Sequence, residues 1–299
     1  MKVAIQGQQV ELSNLDKVLY PQAAFTKAHV IDYYRRVSPA LLPHLRDRPV
    51  TLKRYPDGVE GKFFYEKSCP PYRPAFVRTA PVWSEGRGED IDYCVLDTLP
   101  ALVWAANLAD LEMHTFLHTA PDVARPHALV FDLDPGPGTD IVDCARLGLR
   151  VRDLFEGFGL ACLAKTSGSK GLQVYAPLNT PASYEETKPF ARAVAEMLER
   201  ETPATVTSNM SKAERAGRVL VDWSQNDAHK TTVCAYSLRA KAQPTVSTPV
   251  TWEEIARCAS EGKADLLRFL TEDVLERVET HGDLFRPVLD LEQALPALA

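Results

Sequence analysis

Residues 128–138 read A-L-V-F-D-L-D-P-G-P-G, and the fold follows from this stretch. The apolar run from Ala128 predicts a buried strand through Asp134, and the Pro135–Gly138 turn ends it. In an extended chain residues i and i+2 share a face. Asp132 and Asp134 therefore converge on one side while Leu133 packs on the other. Two carboxylates side by side repel one another and perturb each other's ionisation. A cation removes that cost, and hard oxygen ligands suit Mg²⁺ or Mn²⁺. The competing reading is a pair of solvated aspartates at a strand end.

Downstream, Asp143–Phe158 has the periodicity of an amphipathic helix, with Gly159 placed to cap it. Leu160–Thr166 and Leu172–Pro177 read as strands joined by Ser167-Gly-Ser-Lys-Gly171. Glycines let backbone approach a ligand, and successive N–H groups with hydroxyls and Lys170 make an anion cradle. The G-x-x-x-x-G-K-[ST] spacing of a P-loop is absent, and a plain hairpin turn is the alternative. Tyr184–Glu201 reads as a helix and Arg218–Trp223 as a further strand. Asp222 on that strand is costly to bury unless metal-bound or paired with an arginine such as Arg218. A third carboxylate beside a D-x-D pair supplies what two-metal phosphoryl transfer needs.

Upstream, Leu12–Pro21 reads as a strand or turn, and Thr26 is a good N-cap for a helix to about Leu45. Pro49–Arg54 and Lys62–Glu66 read as short strands around Pro56-Asp57-Gly58. Lys53 and Arg54 lie close in sequence to Phe63, Phe64 and Tyr65, a mixture suited to stacking on bases, or else a hairpin whose aromatics fill the core. Asp97–His114 reads as a buried helix, with His114 at its end in a position more often structural. Cys234–Arg239 suggests a short strand and Gln243–Val250 an extended surface segment, followed by acidic helices. Strands and helices alternate with frequent hairpin joins. That pattern predicts an α/β fold with mixed or antiparallel sheets flanked by helices, not a doubly wound parallel sheet.

Of 299 residues, 45% are hydrophobic and 25% charged, as in ordinary water-soluble domains. No apolar run is long enough for a membrane span, and Met1–Leu12 does not read as a signal peptide. The six cysteines form no C-x-x-C pair, which argues against structural zinc and fits a reducing cytoplasm with buried, inert thiols. The net charge of −6 at first disfavours a nucleic-acid partner. The excess, however, sits in residues 251–299, with 11 acids and 5 bases. Residues 35–54 hold six Arg or Lys against the single Asp47, either a strip for phosphates or a solvated helix face.

The strings L-S-N-L-D-K-V-L-Y-P (12–21), V-F-D-L-D-P-G, T-S-G-S-K-G-L, V-D-W-S-Q-N and S-L-R-A (237–240) occur in that order. Together they make the chain resemble the polymerase domain of bacterial DNA ligase D, of the archaeo-eukaryotic primase superfamily, which acts in non-homologous end joining. The resemblance implies a single primase-polymerase domain over 1–299, with an N-terminal α/β part to about 125, a catalytic core over about 126–240 and a C-terminal helical part. It implies that Asp132, Asp134 and Asp222 bind two Mn²⁺ or Mg²⁺ ions. It implies that Ser167, Lys170 and His114 hold the incoming triphosphate, with Lys53, Gln225 and Arg239 near the nucleotide. Tyr65 stands where the family usually has a stacking phenylalanine. Lys17 and Lys27 match lysines that grip the 5′-phosphate across a gap or break. Arg215 matches a basic residue near the template, and Arg54 and Phe64 join the DNA-binding set. The family prefers ribonucleotides and works well with Mn²⁺. Nucleoside triphosphates and DNA bearing a gap or double-strand break are the implied partners, with Ku and an ATP-dependent DNA ligase as candidate protein partners.

Three departures stand out: Thr115-Phe116 where many relatives have Pro-Trp, Tyr65 for Phe, and Asp227-Ala228-His229 in place of a smaller, more neutral turn. Lys53–Gly58, K-R-Y-P-D-G, is superficially like a ligase K-x-D-G motif, but its spacing differs and no other ligase motif follows. A free-standing enzyme and an excised domain are both compatible with the sequence. The alternatives are a metal-dependent nuclease or phosphohydrolase, which does not need the triphosphate cradle, and a catalytically silent DNA-end-binding module. A beta-type polymerase fits less well, because its Gly-Ser signature precedes the D-x-D, whereas here the Gly-Ser turn follows.

Overall fold

In the computed structural model, which describes residues 1–297, the strand carrying Asp132 and Asp134 spans Ala128–Pro135. It is central in a six-stranded sheet ordered Val206–Thr207, Val219–Asp222, Ala128–Pro135, Leu172–Pro177, Leu163–Thr166 and Pro249–Val250. All neighbours are antiparallel except the first pair. The helix Ile141–Gly157 covers the Leu133 face: the Phe155 ring meets Phe131 at 5.3 Å and Cys144 Sγ donates to the Leu133 carbonyl. Asp140 and Asp143 form its capping box, which stabilises the first turn by about 1 kcal/mol. Leu129, Val130, Phe131 and Leu133 are fully buried, each contributing roughly 1.5–3 kcal/mol through lost contact with water. The helices Tyr184–Glu201, Trp252–Glu261 and Pro287–Asp290 complete this unit, which comprises Ala124–Lys230, Thr248–Arg268 and the chain from Leu284 onward.

The other compact unit comprises Met1–Val123, Thr231–Ser247 and Phe269–Asp283. Its main antiparallel sheet runs Thr232–Val233, Asp110–Thr115, Pro49–Arg54, Glu89–Val95 and Arg78–Ser84, and Phe64–Glu66 also pairs with Pro49–Arg54. Thr26 caps the helix Lys27–Leu45, as the sequence predicts. That helix packs on Leu99–Asn107 and Thr271–His281. Residues 241–299 contribute to both units. Among the described residues no helix is long and apolar enough to cross a membrane.

Several expected elements differ. The helix expected over Asp97–His114 ends at Asn107; Ala109 adopts a left-handed conformation (φ 58°) and Asp110–Thr115 is a strand. Of Gln243–Val250, all but Gln243 is buried, not surface-running, because Pro244–Val246 pairs with Leu238–Ala240 and Pro249–Val250 with Leu163–Thr166. The strand expected over Cys234–Arg239 begins only at Leu238, since Tyr236 has a positive φ. Two cysteines are not inert thiols: Cys69 and Cys94 form a disulfide, brought together where the Cys69 amide donates to the carbonyl of Asp92, two residues before Cys94 on the same strand. The other four are buried thiols. The basic run over 35–54 is not one strip. Arg35 pairs with Asp32, Arg36 with Glu272, and buried Arg48 donates to the Phe116 and His118 carbonyls.

Candidate active site

Asp132 lies directly opposite Asp222 across antiparallel strands, and Asp134 is two residues along on the same strand. Directly opposed residues share a face, so all three carboxylates stand on the side away from Leu133 and the Ile141–Gly157 helix. Burial, followed by the charge of Asp134, pushes the Asp132 carboxyl up to about 7; Asp222 adds to this, and a hydrogen bond from Gln173 and the charge of Lys165 oppose it. Asp132 Oδ1 is shut off from solvent and has no hydrogen-bond partner among the described residues. Among the described residues no arginine pairs with Asp222: its Oδ1 accepts from the Ser224 amide (2.9 Å) and hydroxyl (2.6 Å), and Oδ2 from Gln225 Nε2 (3.2 Å). Arg218 instead lies 3.9 Å from Glu214.

The residues after Asp222 are locked to the central strand. Asn226, fully buried, accepts from the Val130 amide (2.9 Å) and donates to the Val130 carbonyl (2.7 Å), mimicking a strand edge. Asp227 pairs with Lys188 and accepts from the His229 amide, so the charged turn is tied down. Gln225 Oε1 and Arg215 Nε are buried without hydrogen-bond partners among the described residues, while another nitrogen of Arg215 donates to the Met210 carbonyl.

The Ser167–Gly171 turn abuts the aspartate strand. A Cβ on Gly171 would sit 2.3 Å from the Leu133 carbonyl oxygen and 3.5 Å from an Asp134 carboxylate oxygen, so only glycine allows this approach. Ser167 Oγ accepts from the Gly171 and Ser169 amides, closing the turn, and Gly168 has φ 66°. Lys170 is exposed beside it.

In the other unit, Glu112 and His114 stand two residues apart on one strand and so share a face, while a register irregularity separates Glu112 from Asp110. Glu112, 1% exposed, is the hub. Its Oε1 takes Lys53 Nζ at 3.2 Å and the Ala240 amide at 3.1 Å. Its Oε2 takes His114 Nε2 at 3.1 Å and lies 3.2 Å from Arg239 Nε. Burial alone would raise the Glu112 carboxyl. The hydrogen bond from His114 and the charges of Arg239, His114 and Lys53 outweigh it and hold the group well below the usual range. Burial lowers His114. An ionised Glu112 only accepts, so neutral His114 carries its proton on Nε2. Lys53 also stands over the Phe63, Tyr55 and Tyr65 rings at 4.7, 5.4 and 5.5 Å, and the Tyr65 ring meets His114 edge-on at 6.1 Å. Phe63, Phe64 and Tyr65 are 51%, 43% and 55% exposed. They are surface aromatics and do not fill the core. Arg54 stands over Phe64 at 5.1 Å and bonds Glu66 and the Tyr72 hydroxyl.

Lys17 and Lys27 lie next to one another: the Lys27 amide donates to the Lys17 carbonyl, and the two flank paired Val18 and Thr26. Lys17 pairs with Asp57 at 2.9 Å. Lys27 is only 6% exposed, with no acidic partner within ion-pair distance among the described residues. Burial, then the charges of Lys17 and Arg54, lowers its pKa. A lysine in that position is not an ordinary solvated one. Phe116, of the departing Thr115-Phe116 pair, is a core anchor packed with Val82, Ile91 and Tyr93.

The three carboxylates suit a hard divalent ion: the donors are oxygens, and Asp132 Oδ1 is buried and unpartnered. Among the described residues, no three His, Cys, Asp or Glu side chains are already gathered into a coordination shell. Sequence reasoning missed Glu112 and Asn226. D-L-E-M-H-T carried the signal for Glu112, as polar residues at every second position; the assigned helix hid it.

The chain matches the family described as LigD, primase-polymerase domain, over residues 26–285. It is 40% identical over 283 residues to a multifunctional non-homologous end joining protein LigD of Mycolicibacterium smegmatis, covering 94% of this chain and 36% of that protein. A bifunctional non-homologous end joining protein LigD of Bacillus subtilis is 31% identical over 275 residues, covering 92% of this chain and 43% of that protein. The chain thus spans well under half the length of these relatives. Among solved structures, the polymerase domain from Mycobacterium tuberculosis ligase D in complex with DNA superposes with a TM-score of 0.87 at 39% identity, covering 96% of this chain and all of that one.

Proposed function

The chain belongs to the LigD primase-polymerase domain family and is a nucleotidyltransferase by that membership; we propose that it adds nucleotides, ribonucleotides in preference, to a DNA 3′-hydroxyl, filling gaps and ends in double-strand break repair. The observation that carries this reading is the register that sets Asp222 opposite Asp132 with Asp134 on the same face. Asp132, Asp134 and Asp222 hold two divalent ions, Mn²⁺ or Mg²⁺. When bound, these ions lower the pKa of the attacking hydroxyl and neutralise the triphosphate and leaving pyrophosphate.

The protein's own groups do the positioning. By the family resemblance, Ser167, Lys170 and His114 hold the incoming triphosphate, and Lys53 and Arg239 lie near the nucleotide. Gln225 lies near the nucleotide and Tyr65 stacks on the base. Arg54, Phe64 and Arg215 engage DNA, and Lys17 with Lys27 receives the 5′-phosphate beyond the gap. The proposed setting is the cytoplasm, with Ku and an ATP-dependent DNA ligase as protein partners, and both compact units acting as one primase-polymerase domain. The test is a labelled gapped duplex with a 5′-phosphate, incubated with Mn²⁺ and each ribo- and deoxyribonucleotide. Templated addition with higher kcat/KM for ribonucleotides is expected. Strand shortening would favour a nuclease, no reaction a silent end-binding module, and equal kcat/KM values would remove the ribose preference.

A further inference from the structure

A continuous row of polar side chains crosses four strands on the carboxylate face. Lys165 lies opposite Gln173, Gln173 opposite Asp132, and Asp132 opposite Asp222. Lys165 and Gln173 are each 1% exposed. Lys165 Nζ donates to Gln173 Oε1 at 2.5 Å and stands 5.6 Å from the Tyr175 ring centre. Gln173 in turn makes a side-chain hydrogen bond to Asp132.

The chemistry of the groups fixes the polarity of this chain. An ionised carboxylate only accepts, so the Gln173 amide must turn its NH₂ toward Asp132 and its oxygen away. An ammonium only donates, so Lys165 stabilises that orientation and opposes the flipped one, which would set an amide oxygen against a carboxylate. A buried ammonium is costly, and an apolar side chain of similar length in its place is often neutral or stabilising. Packing therefore gives no reason for lysine here, whereas a row of carboxylates along the same face does.

We propose that Lys165 is a positioning residue for Asp132: acting through Gln173, it fixes the orientation of the carboxylate, presenting Asp132 to a divalent cation. This rests on the reading of Asp132 as a metal ligand.

The test is calorimetric titration of Mn²⁺ into the DNA-free, nucleotide-free chain, with urea denaturation of the same proteins in EDTA. Lys165→Met should weaken Mn²⁺ binding about tenfold or more while leaving metal-free stability equal to or above wild type. Gln173→Leu keeps the lysine but breaks the link, and should weaken Mn²⁺ comparably; it decides the matter alone if Lys165→Met does not fold. Wild-type Mn²⁺ affinity in both variants, or in Gln173→Leu alone where the other fails to fold, overturns the proposal. So does a Lys165→Met protein that loses stability but binds Mn²⁺ normally, which would make the lysine merely structural. Asp132→Asn is the control: unchanged Mn²⁺ affinity there would mean that the metal-ligand reading itself had failed.

Discussion

Replacing Asp132 by asparagine should stabilise the metal-free protein while destroying its activity. Burial, with the Asp134 charge next, pushes Asp132 from an ordinary 3.8 up to about 7. A raised folded-state value means that between those limits the folded chain keeps a proton that the unfolded chain releases. Stability therefore falls as pH rises from about 4 to about 7, and levels off above that. Three units at about 1.4 kcal/mol each give a destabilisation of roughly 4 kcal/mol above pH 7, shrinking to about 1–2 kcal/mol at pH 5. Asparagine has the same shape and no charge to desolvate, but its amide must re-pair with Gln173. A net gain of roughly 2–3 kcal/mol at pH 8 is therefore expected. Urea denaturation in EDTA at pH 5 and pH 8 measures it: the variant's advantage should be larger at pH 8. Mn²⁺ should stabilise wild type at pH 8 and the variant much less. A variant no more stable than wild type at pH 8, or an advantage that does not grow with pH, would refute the claim that metal-free carboxylates strain the fold.

Glu112→Ala should cost about 3 kcal/mol of stability by urea denaturation, since it leaves the half-buried Lys53 and Arg239 without their carboxylate; a loss under about 1 kcal/mol would mean that Glu112 is not their anchor. The same variant should weaken binding of a fluorescent nucleoside triphosphate, and undiminished affinity would detach the Glu112 cluster from nucleotide binding. Lys17→Ala with Lys27→Ala should weaken binding to a gapped duplex bearing a 5′-phosphate and barely affect the 5′-hydroxyl duplex. In wild type the preference should shrink as salt rises. Fluorescence anisotropy distinguishes this from equal loss on both duplexes, which would leave only general attraction, and from no loss at all.

The aspartate strand was legible because its signals are local: an apolar run, a two-residue spacing and a Pro-Gly turn. The helix from Lys27 was legible for the same reason, through its Thr26 cap. Asp110–Thr115 was not, because the strand inverts the usual pattern. It buries its acidic residues Asp110 and Glu112, and it follows an apolar helix after only two residues. Period-two polarity there looked like the end of that helix. Lys165 and Gln173 were silent for a different reason. A lysine and a glutamine on adjacent strands suggest a solvated face, and only the pairing register shows that they lie in line with Asp132. The Cys69–Cys94 bond likewise depends on strand placement that spacing does not encode. The family motifs named Lys53, His114 and Arg239 individually; that one buried carboxylate joins them became visible only in three dimensions.

The most direct measurement is single-nucleotide extension of a gapped, 5′-phosphorylated duplex by wild type and by Asp134→Ala, in Mn²⁺, with DNA binding followed in parallel. Loss of a metal carboxylate should remove several kcal/mol of transition-state stabilisation, on the order of a thousandfold in rate, and leave most DNA affinity intact. Extension by the variant at a tenth of the wild-type rate or more would contradict the assignment of these aspartates as the metal-binding centre.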